Sequence, residues 1–238
     1  LMNMEIPPVL FSTVDTLVFE WLKLVDDEFV YDFNITDEFL KQYELPDFTG
    51  IQELSGEIDE FLIGRLITRD EYCGKLIPRE GLKGSLDQEQ RRIVWEVRNG
   101  YIDYMNSTRR YSVNYGRMRL SQLMNENPEG GRKGLQTVFI DEVQDLNPAA
   151  LAAVKSVTHG PLIMAGDFQQ SLYMTQHPFV RAGIDIRGAA RILKTNFRNT
   201  RQIIEKAEAF VKARRPNFLP KPALKSLRLP CSAGLICL

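Results

Sequence analysis

Two adjacent acidic residues follow a short apolar run near the middle of the chain. The run 138–140 (Val-Phe-Ile) ends in Asp141 and Glu142, and Gln144 and Asp145 follow closely. Buried parallel strands are continuously apolar because both faces of their sheet are covered, and chemistry takes place just beyond their carboxyl ends. Two acids at that place fit nucleotide hydrolysis, in which one carboxylate holds Mg²⁺ and the other activates the attacking water.

The pattern of an apolar run followed by a polar box occurs twice more. Residues 162–165 precede the box 166–173 (Gly-Asp-Phe-Gln-Gln-Ser-Leu-Tyr), and the run 190–195 precedes the box 196–200 (Asn-Phe-Arg-Asn-Thr). Because each box follows its strand, we expect the three boxes to line one edge of one sheet.

A helix is predicted between the first two runs. Asn147 and Pro148 are typical of an N-cap and a first helical position, and the helix should extend to about Val157. The resulting strand–helix–strand unit is the building block of a parallel sheet, so the fold class should be α/β.

The three boxes resemble the UvrD/Rep/PcrA group of superfamily 1 DNA helicases. Residues 141–145 (Asp-Glu-Val-Gln-Asp) are similar to the extended Walker B box of that group, residues 166–173 to its third motif, and residues 196–200 to its fourth. The resemblance is tight over about residues 135–205 and looser upstream. It implies part of a RecA-like P-loop NTPase parallel sheet with a mainly helical inserted subdomain.

The resemblance assigns four residues to the nucleotide. Asp141 would hold Mg²⁺ through a water molecule, and Glu142 would activate the hydrolytic water. Gln170 would sense the γ-phosphate, and Arg198 would offer it a positive charge. These roles are physically reasonable because phosphoryl transfer is accelerated mainly by positioning and charge stabilisation.

Three further residues would couple the nucleotide to DNA. Gln144 and Asp145 would link the nucleotide state to DNA contacts, and Tyr173 would lie on the path between the two ligands. Many relatives also carry a base-stacking tryptophan in this stretch, whereas residues 174–179 contain none. Phe179 is a weak substitute, for which a position in the core is the better interpretation.

The chain lacks the glycine-rich phosphate loop of this group, Gly-x-x-x-x-Gly-Lys-Ser/Thr. The glycine-rich stretch 130–134 is interpreted as a loop that enters the Walker B strand. The fifth and sixth motifs of this group are also missing. We therefore expect the chain to be an internal part of a longer helicase, with degeneration of the motifs as the alternative.

Three segments are predicted along the chain. Residues 1–134 should form a mainly helical insertion-type subdomain, residues 135–205 the RecA-like core segment, and residues 206–238 a linker or poorly ordered tail. Within the first segment, the spacing of apolar residues predicts a helix over about 86–106, which would begin with a capping box formed by Ser85 and Gln88.

The net charge of −1 conceals a gradient along the chain. Residues 1–75 contain 17 acidic and 5 basic residues, which we interpret as solvated helix faces, whereas the rest of the chain is basic. Arginines alternate with tyrosines over residues 104–119, a pattern that suits single-stranded nucleic acid. The same pattern equally suits an amphipathic helix packed on its neighbour.

Composition excludes several classes of protein. Three cysteines and two histidines are too few for a disulfide frame, a zinc site or histidine-based catalysis. No apolar run approaches 18 residues and no leader opens the chain, so we expect no membrane association and a cytoplasmic location.

The expected function is part of an ATP-driven, Mg²⁺-dependent DNA helicase that moves 3′ to 5′. Its partners would be single-stranded or junction DNA and the rest of the helicase polypeptide. Two alternatives stay open: a non-catalytic helicase-like module that binds DNA or a protein partner, and the motor of a helicase–nuclease.

Overall fold

The computed structural model describes residues 9–79, 84–126, 134–166, 178–187, 189–193, 200–214 and 233–237. The α-helices are α1 Val14–Val25, α2 Ile35–Gln42, α3 Ile51–Ser55, α4 Gln88–Thr108, α5 Val113–Glu126, α6 Pro148–Ser156, α7 Pro178–Arg181 and α8 Arg201–Arg214. The strands are β1 Val30–Tyr31, β2 Arg110–Tyr111, β3 Val138–Ile140, β4 Leu162–Ala165, β5 Ala190–Leu193 and β6 Ala233–Cys237. Two π-helices, Gly56–Ile63 and Asp70–Gly74, and a 3₁₀ turn, Val143–Asp145, complete the elements of the described residues.

The chain divides into two compact units that alternate along the sequence. The first unit comprises Leu1–Leu135, Asn147–His159 and Thr175–Ile184, and the second comprises Gln136–Leu146, Gly160–Met174 and Asp185–Leu238. In its described residues, the first unit is mainly helical and contains the short pair β1–β2, and the second contains the larger sheet. The α/β class is thereby confirmed. The division into a subdomain, a core segment and a tail at residues 134 and 205 stays a prediction.

A capping box begins α4, two residues later than predicted. The Asp87 carboxylate accepts from the backbone N–H of Gln90 at 2.8 Å, and the Gln90 side chain accepts from the backbone N–H of Asp87 at 3.0 Å. Assigning the box to Ser85 and Gln88 was therefore wrong. The sequence offers both pairs at the same spacing, and the carboxylate also interacts favourably with the helix dipole. The apolar face of the helix is as expected, with Val94, Val97, Tyr101 and Met105 buried.

Acidic residues of the N-terminal third form ion pairs with arginines far along the chain. The pairs are Asp15–Arg117, Asp26–Arg109, Asp32–Arg110 and Glu38–Arg110. They surround the parallel pair β1–β2, in which Tyr31 lies opposite Tyr111. The acidity of this segment was interpreted as solvated helix faces, whereas these four carboxylates form ion pairs with arginines distant in sequence.

The first π-helix contains a buried, neutralised charge. The Glu57 carboxylate accepts from the hydroxyl of Tyr72 at 2.5 Å and forms an ion pair with Arg79. Burial and the adjacent carboxylate raise the pKa of Tyr72, which therefore remains a donor. Arg91, also buried, donates to the carbonyls of Tyr72 and Ile77 at 3.2 and 2.9 Å. These bonds fix the connection between the second π-helix and α4.

The four-stranded sheet has the order β3-β4-β6-β5. β3 and β4 pair in parallel, with Ile140 opposite Met164, as the strand–helix–strand pattern predicted. β6 is antiparallel to both β4 and β5, so β5 runs in the same direction as β3 and β4. The carboxyl ends of β3, β4 and β5 therefore share one edge of the sheet. β6 was not predicted, because residues 229–238 have no periodic pattern.

Among the described residues, no helix combines the length and apolar character needed to cross a membrane.

Candidate nucleotide-hydrolysis site

Asp141 and Glu142 are exposed at the carboxyl end of β3. The backbone of Glu142 is left-handed, with φ 52° and ψ 40°, a conformation that costs a non-glycine residue about 1–2 kcal/mol. Its N–H donates to Oδ1 of Asp141 at 2.9 Å, and its carbonyl accepts from the N–H of Asp145 at 3.0 Å. Strained residues of this kind cluster at functional sites, where the surrounding structure maintains them.

Gln144 orients the Glu142 carboxylate. Its side chain is buried, and Nε2 donates to Oε2 of Glu142 at 2.5 Å, a hydrogen bond strengthened by the negative charge. Among the described residues, no group donates to the other oxygen, Oε1. Glu142 is therefore held by one oxygen while the second is available to accept a proton from water.

Gly166 makes room for this arrangement on the adjacent strand. It directly follows β4, and a Cβ atom at this position would lie 2.8 Å from Cγ1 of Val143 and in even closer contact with the side-chain oxygen of Gln144. Sequence analysis placed Gly166 in the second box without assigning it a role. The predicted strand–helix–strand unit already implied that the two strands run parallel. Their register places the starts of the two boxes side by side, where a residue without a side chain leaves room for the first box.

We expect Gly166→Ala to destabilise the chain by about 1–3 kcal/mol, because the new methyl group must displace Val143 and Gln144. Chemical denaturation of the purified chain measures this change. Gly100→Ala is the matched control, since a Cβ there would meet only Phe39, at an ordinary 3.6 Å, within α4. Gly100→Ala should be as stable as the wild type or slightly more stable, because alanine is favoured over glycine within a helix. A Gly166→Ala variant that unfolds at the wild-type denaturant concentration would contradict the close approach of Gln144.

The exposed acids fit a Mg²⁺ site that is completed by a nucleotide. Among the described residues, no group of three or more histidine, cysteine, aspartate or glutamate side chains could hold a metal ion alone. Mg²⁺ commonly binds one or two carboxylates together with water and substrate phosphates. The hard oxygen donors of Asp141 and Glu142 suit that partial coordination.

Three of the predicted site residues, Gln170, Tyr173 and Arg198, lie outside the described residues. Their roles stay predictions. The strands that precede their boxes end at the same edge as β3. Phe179, which was interpreted as a core residue, is buried in α7.

The arginine- and tyrosine-rich segment is a packing surface. Arg109, Arg110 and Arg117 form the ion pairs described above, while Tyr111 and Tyr115 are buried with their rings 5.0 Å apart. Charges already neutralised by carboxylates and rings already in the core are poorly suited to phosphates and bases. Of the two interpretations of this segment, the structure supports packing.

A model of the UvrD/REP helicase N-terminal domain matches residues 33–177. This chain belongs to that family. A comparison with curated proteins gave no match. The UvrD/REP match includes most of the helical first unit, the Asp141–Asp145 box and Gly166, whereas the box at 196–200 lies beyond it. Helicases of the UvrD/REP family generally act on DNA and use ATP with Mg²⁺, and the arrangement around Glu142 has the residue types that such a hydrolase needs.

Proposed function

We propose that this chain is part of an ATP-dependent DNA helicase, and that its second unit contributes one side of a RecA-like nucleotide site. One observation carries the proposal: an exposed pair of acids at the end of a parallel strand, in which Glu142 is both strained and oriented by Gln144. The family match supports the class of enzyme. The hydrolytic chemistry is inferred from the geometry.

In the proposed mechanism, Glu142 accepts the proton of the attacking water through Oε1 while Gln144 fixes Oε2. Asp141 and the nucleotide would hold Mg²⁺, which when bound offsets negative charge on the phosphates. Gln170 and Arg198 would contact the γ-phosphate from the two adjacent strand ends, as the resemblance implies.

Coupling to DNA is assigned to residues that follow the acids. Gln144 donates a hydrogen bond to Glu142. A change in the position of the Glu142 carboxylate would therefore move Gln144 and the backbone of the 3₁₀ turn that contains it. Asp145, exposed at the end of that turn, and Tyr173 would transmit the change to bound DNA. The proposed direction of movement is 3′ to 5′.

The decisive comparison uses two polypeptides: the chain alone, and the complete helicase, meaning a polypeptide that carries this chain together with a phosphate-binding loop. We expect DNA-stimulated ATP hydrolysis and unwinding of 3′-tailed duplexes only from the complete helicase. The chain alone should hydrolyse ATP negligibly, because it has no backbone loop to bind the β- and γ-phosphates. Coupled ATPase and strand-displacement assays measure both activities.

The possible outcomes separate the remaining alternatives. Robust ATPase activity of the chain alone would contradict the need for a phosphate loop elsewhere. A complete polypeptide that binds DNA without hydrolysis would support the non-catalytic module. Preferential unwinding of 5′-tailed duplexes would contradict the proposed direction alone.

A further inference from the structure

Strand β6 runs against the direction of the other three strands of the larger sheet. It lies between β4 and β5 and pairs antiparallel with both, whereas β3, β4 and β5 share one direction. All four strands belong to the second unit. Without β6, a gap one strand wide, about 10 Å between the axes of β4 and β5, would remain. We call this space the β4–β5 gap.

The register shows that the two sides of the gap lie level with each other. One row across the three strands contains Ala165, Leu235 and Arg191, and the next contains Met164, Ile236 and Ala190. A strand in the gap can bond to both neighbours at once, because parallel and antiparallel strands use the same backbone donors and acceptors at nearly the same spacing. The gap therefore does not by itself require an antiparallel strand.

The composition of β6 is poorly suited to a central strand. Ala233 and Gly234 are two of its five residues. Both residue types are depleted in strands, and a glycine weakens the interior of a strand. The segment before β6 contains prolines at 216, 220, 222 and 230. A strand rich in β-branched residues would therefore bind in the β4–β5 gap more tightly than β6 does.

The direction of β6 also matters for the candidate site. The carboxyl ends of β3, β4 and β5 share the edge at which the polar boxes follow, whereas β6 begins at that edge, with Ala233 opposite Leu193. A phosphate loop follows the carboxyl end of its strand and leads into a helix. Only a strand parallel to β4 and β5 would place such a loop at the shared edge, between the box that starts at Gly166 and the box at 196–200.

We propose that β6 is a replaceable strand, and that the β4–β5 gap receives the strand of the complete helicase that ends in its phosphate loop. The inference rests on the proposed function, because the incoming strand belongs to the complete helicase. That strand is apolar on both faces, as in covered parallel sheets, and is followed by Gly-x-x-x-x-Gly-Lys-Ser/Thr. In the chain alone, β6 pairs with the backbone groups of β4 and β5 that would otherwise be open.

Deletion of residues 233–238 in both polypeptides tests the replacement. In the chain alone, the amides of β5 should exchange at least about tenfold faster after the deletion, because β6 is the partner of β5 among the described strands. In the complete helicase, the same deletion should change their exchange by less than about threefold, since the incoming strand already pairs with β5. Exchange in α4, which belongs to the first unit, is the internal reference and should not change.

A proline substitution gives a milder variant with a matched control. Ile236→Pro keeps the length of the chain but removes a backbone donor from a central strand, which such strands do not tolerate. It should reproduce the faster exchange of β5 in the chain alone. Ser226→Pro introduces the same residue into the same tail outside β6, and should leave the exchange of β5 at the wild-type rate.

A disulfide trap provides an independent measurement. Ile163 of β4 lies directly opposite Cys237 of β6, and opposite residues of an antiparallel pair are close enough for a disulfide. In the Ile163→Cys chain, diamide should take two electrons and two protons from the two thiols and join the introduced thiol to Cys237. The complete helicase with the same substitution should form at least about tenfold less of this disulfide, because Cys237 is no longer held beside position 163. Adding Cys237→Ser should abolish the product in both polypeptides.

The outcomes distinguish this inference from the proposed function. Loss of β5 protection after the deletion in both polypeptides, or equal disulfide yields, would show that β6 is a permanent strand and would overturn the replacement. Unchanged exchange after the deletion in the chain alone would show that β6 does not fill the gap, and would overturn it as well. Neither measurement uses ATP, and the Glu142→Gln variant judges hydrolysis separately.

Discussion

Glu142→Gln in the complete helicase should lower kcat for ATP hydrolysis by about 10²- to 10⁴-fold, since a general base contributes about this much. ATP affinity should stay close to wild type, because the amide has the same size and Asp141 is unchanged. The Gln144 amide can still donate to the introduced side-chain oxygen, so the local structure should persist. Single-turnover hydrolysis and equilibrium nucleotide binding measure the two quantities separately.

The control for this variant removes the same charge elsewhere in the second unit. Asp185 precedes β5 and forms an exposed ion pair with Arg187. Asp185→Asn should leave kcat and ATP affinity at wild-type values, because exposed pairs contribute about 0–1 kcal/mol. Normal turnover by Glu142→Gln would show that the Walker B assignment, and with it the proposed mechanism, is wrong.

Local patterns predicted the parts of the fold that depend on neighbouring residues. Asn147 and Pro148 begin α6 as expected, because an N-cap and a first-position proline act within one turn. The parallel pairing of β3 with β4 followed from the strand–helix–strand order. The misplaced cap of α4 shows the limit of such patterns, because two overlapping pairs had the same spacing and only the three-dimensional structure distinguishes them.

Contacts between distant residues could not be read from the sequence. Asp15 and Arg117 pair although 102 positions separate them, so the arginine-rich segment was equally compatible with nucleic acid or with packing. The hydrogen bond from Asn114 to Asp59 has the same origin, because the two residues belong to different helices and no local pattern connects them. The acids of the candidate site could be proposed from the sequence because they occupy one short turn directly after an apolar run.

The fourth motif provides the second large effect that we expect. Arg198 follows Leu193, the last residue of β5, by five positions, and β5 ends at the same sheet edge as β3. The family resemblance assigns the Arg198 guanidinium to the γ-phosphate. We expect Arg198→Ala in the complete helicase to lower kcat at least about 10²-fold, as for other arginines that stabilise charge in phosphoryl transfer.

Arg198→Lys separates charge from geometry. Lysine keeps the positive charge but cannot reproduce the planar, bidentate donor arrangement of a guanidinium, so most activity should be lost here too. Neither variant should change the melting temperature greatly if the arginine serves the nucleotide instead of the fold. Arg187→Lys, at an exposed arginine before β5, is the control and should hydrolyse ATP normally. Wild-type ATPase activity in both Arg198 variants would instead make Arg198 a surface ion-pair residue and would remove the fourth motif from the proposed site.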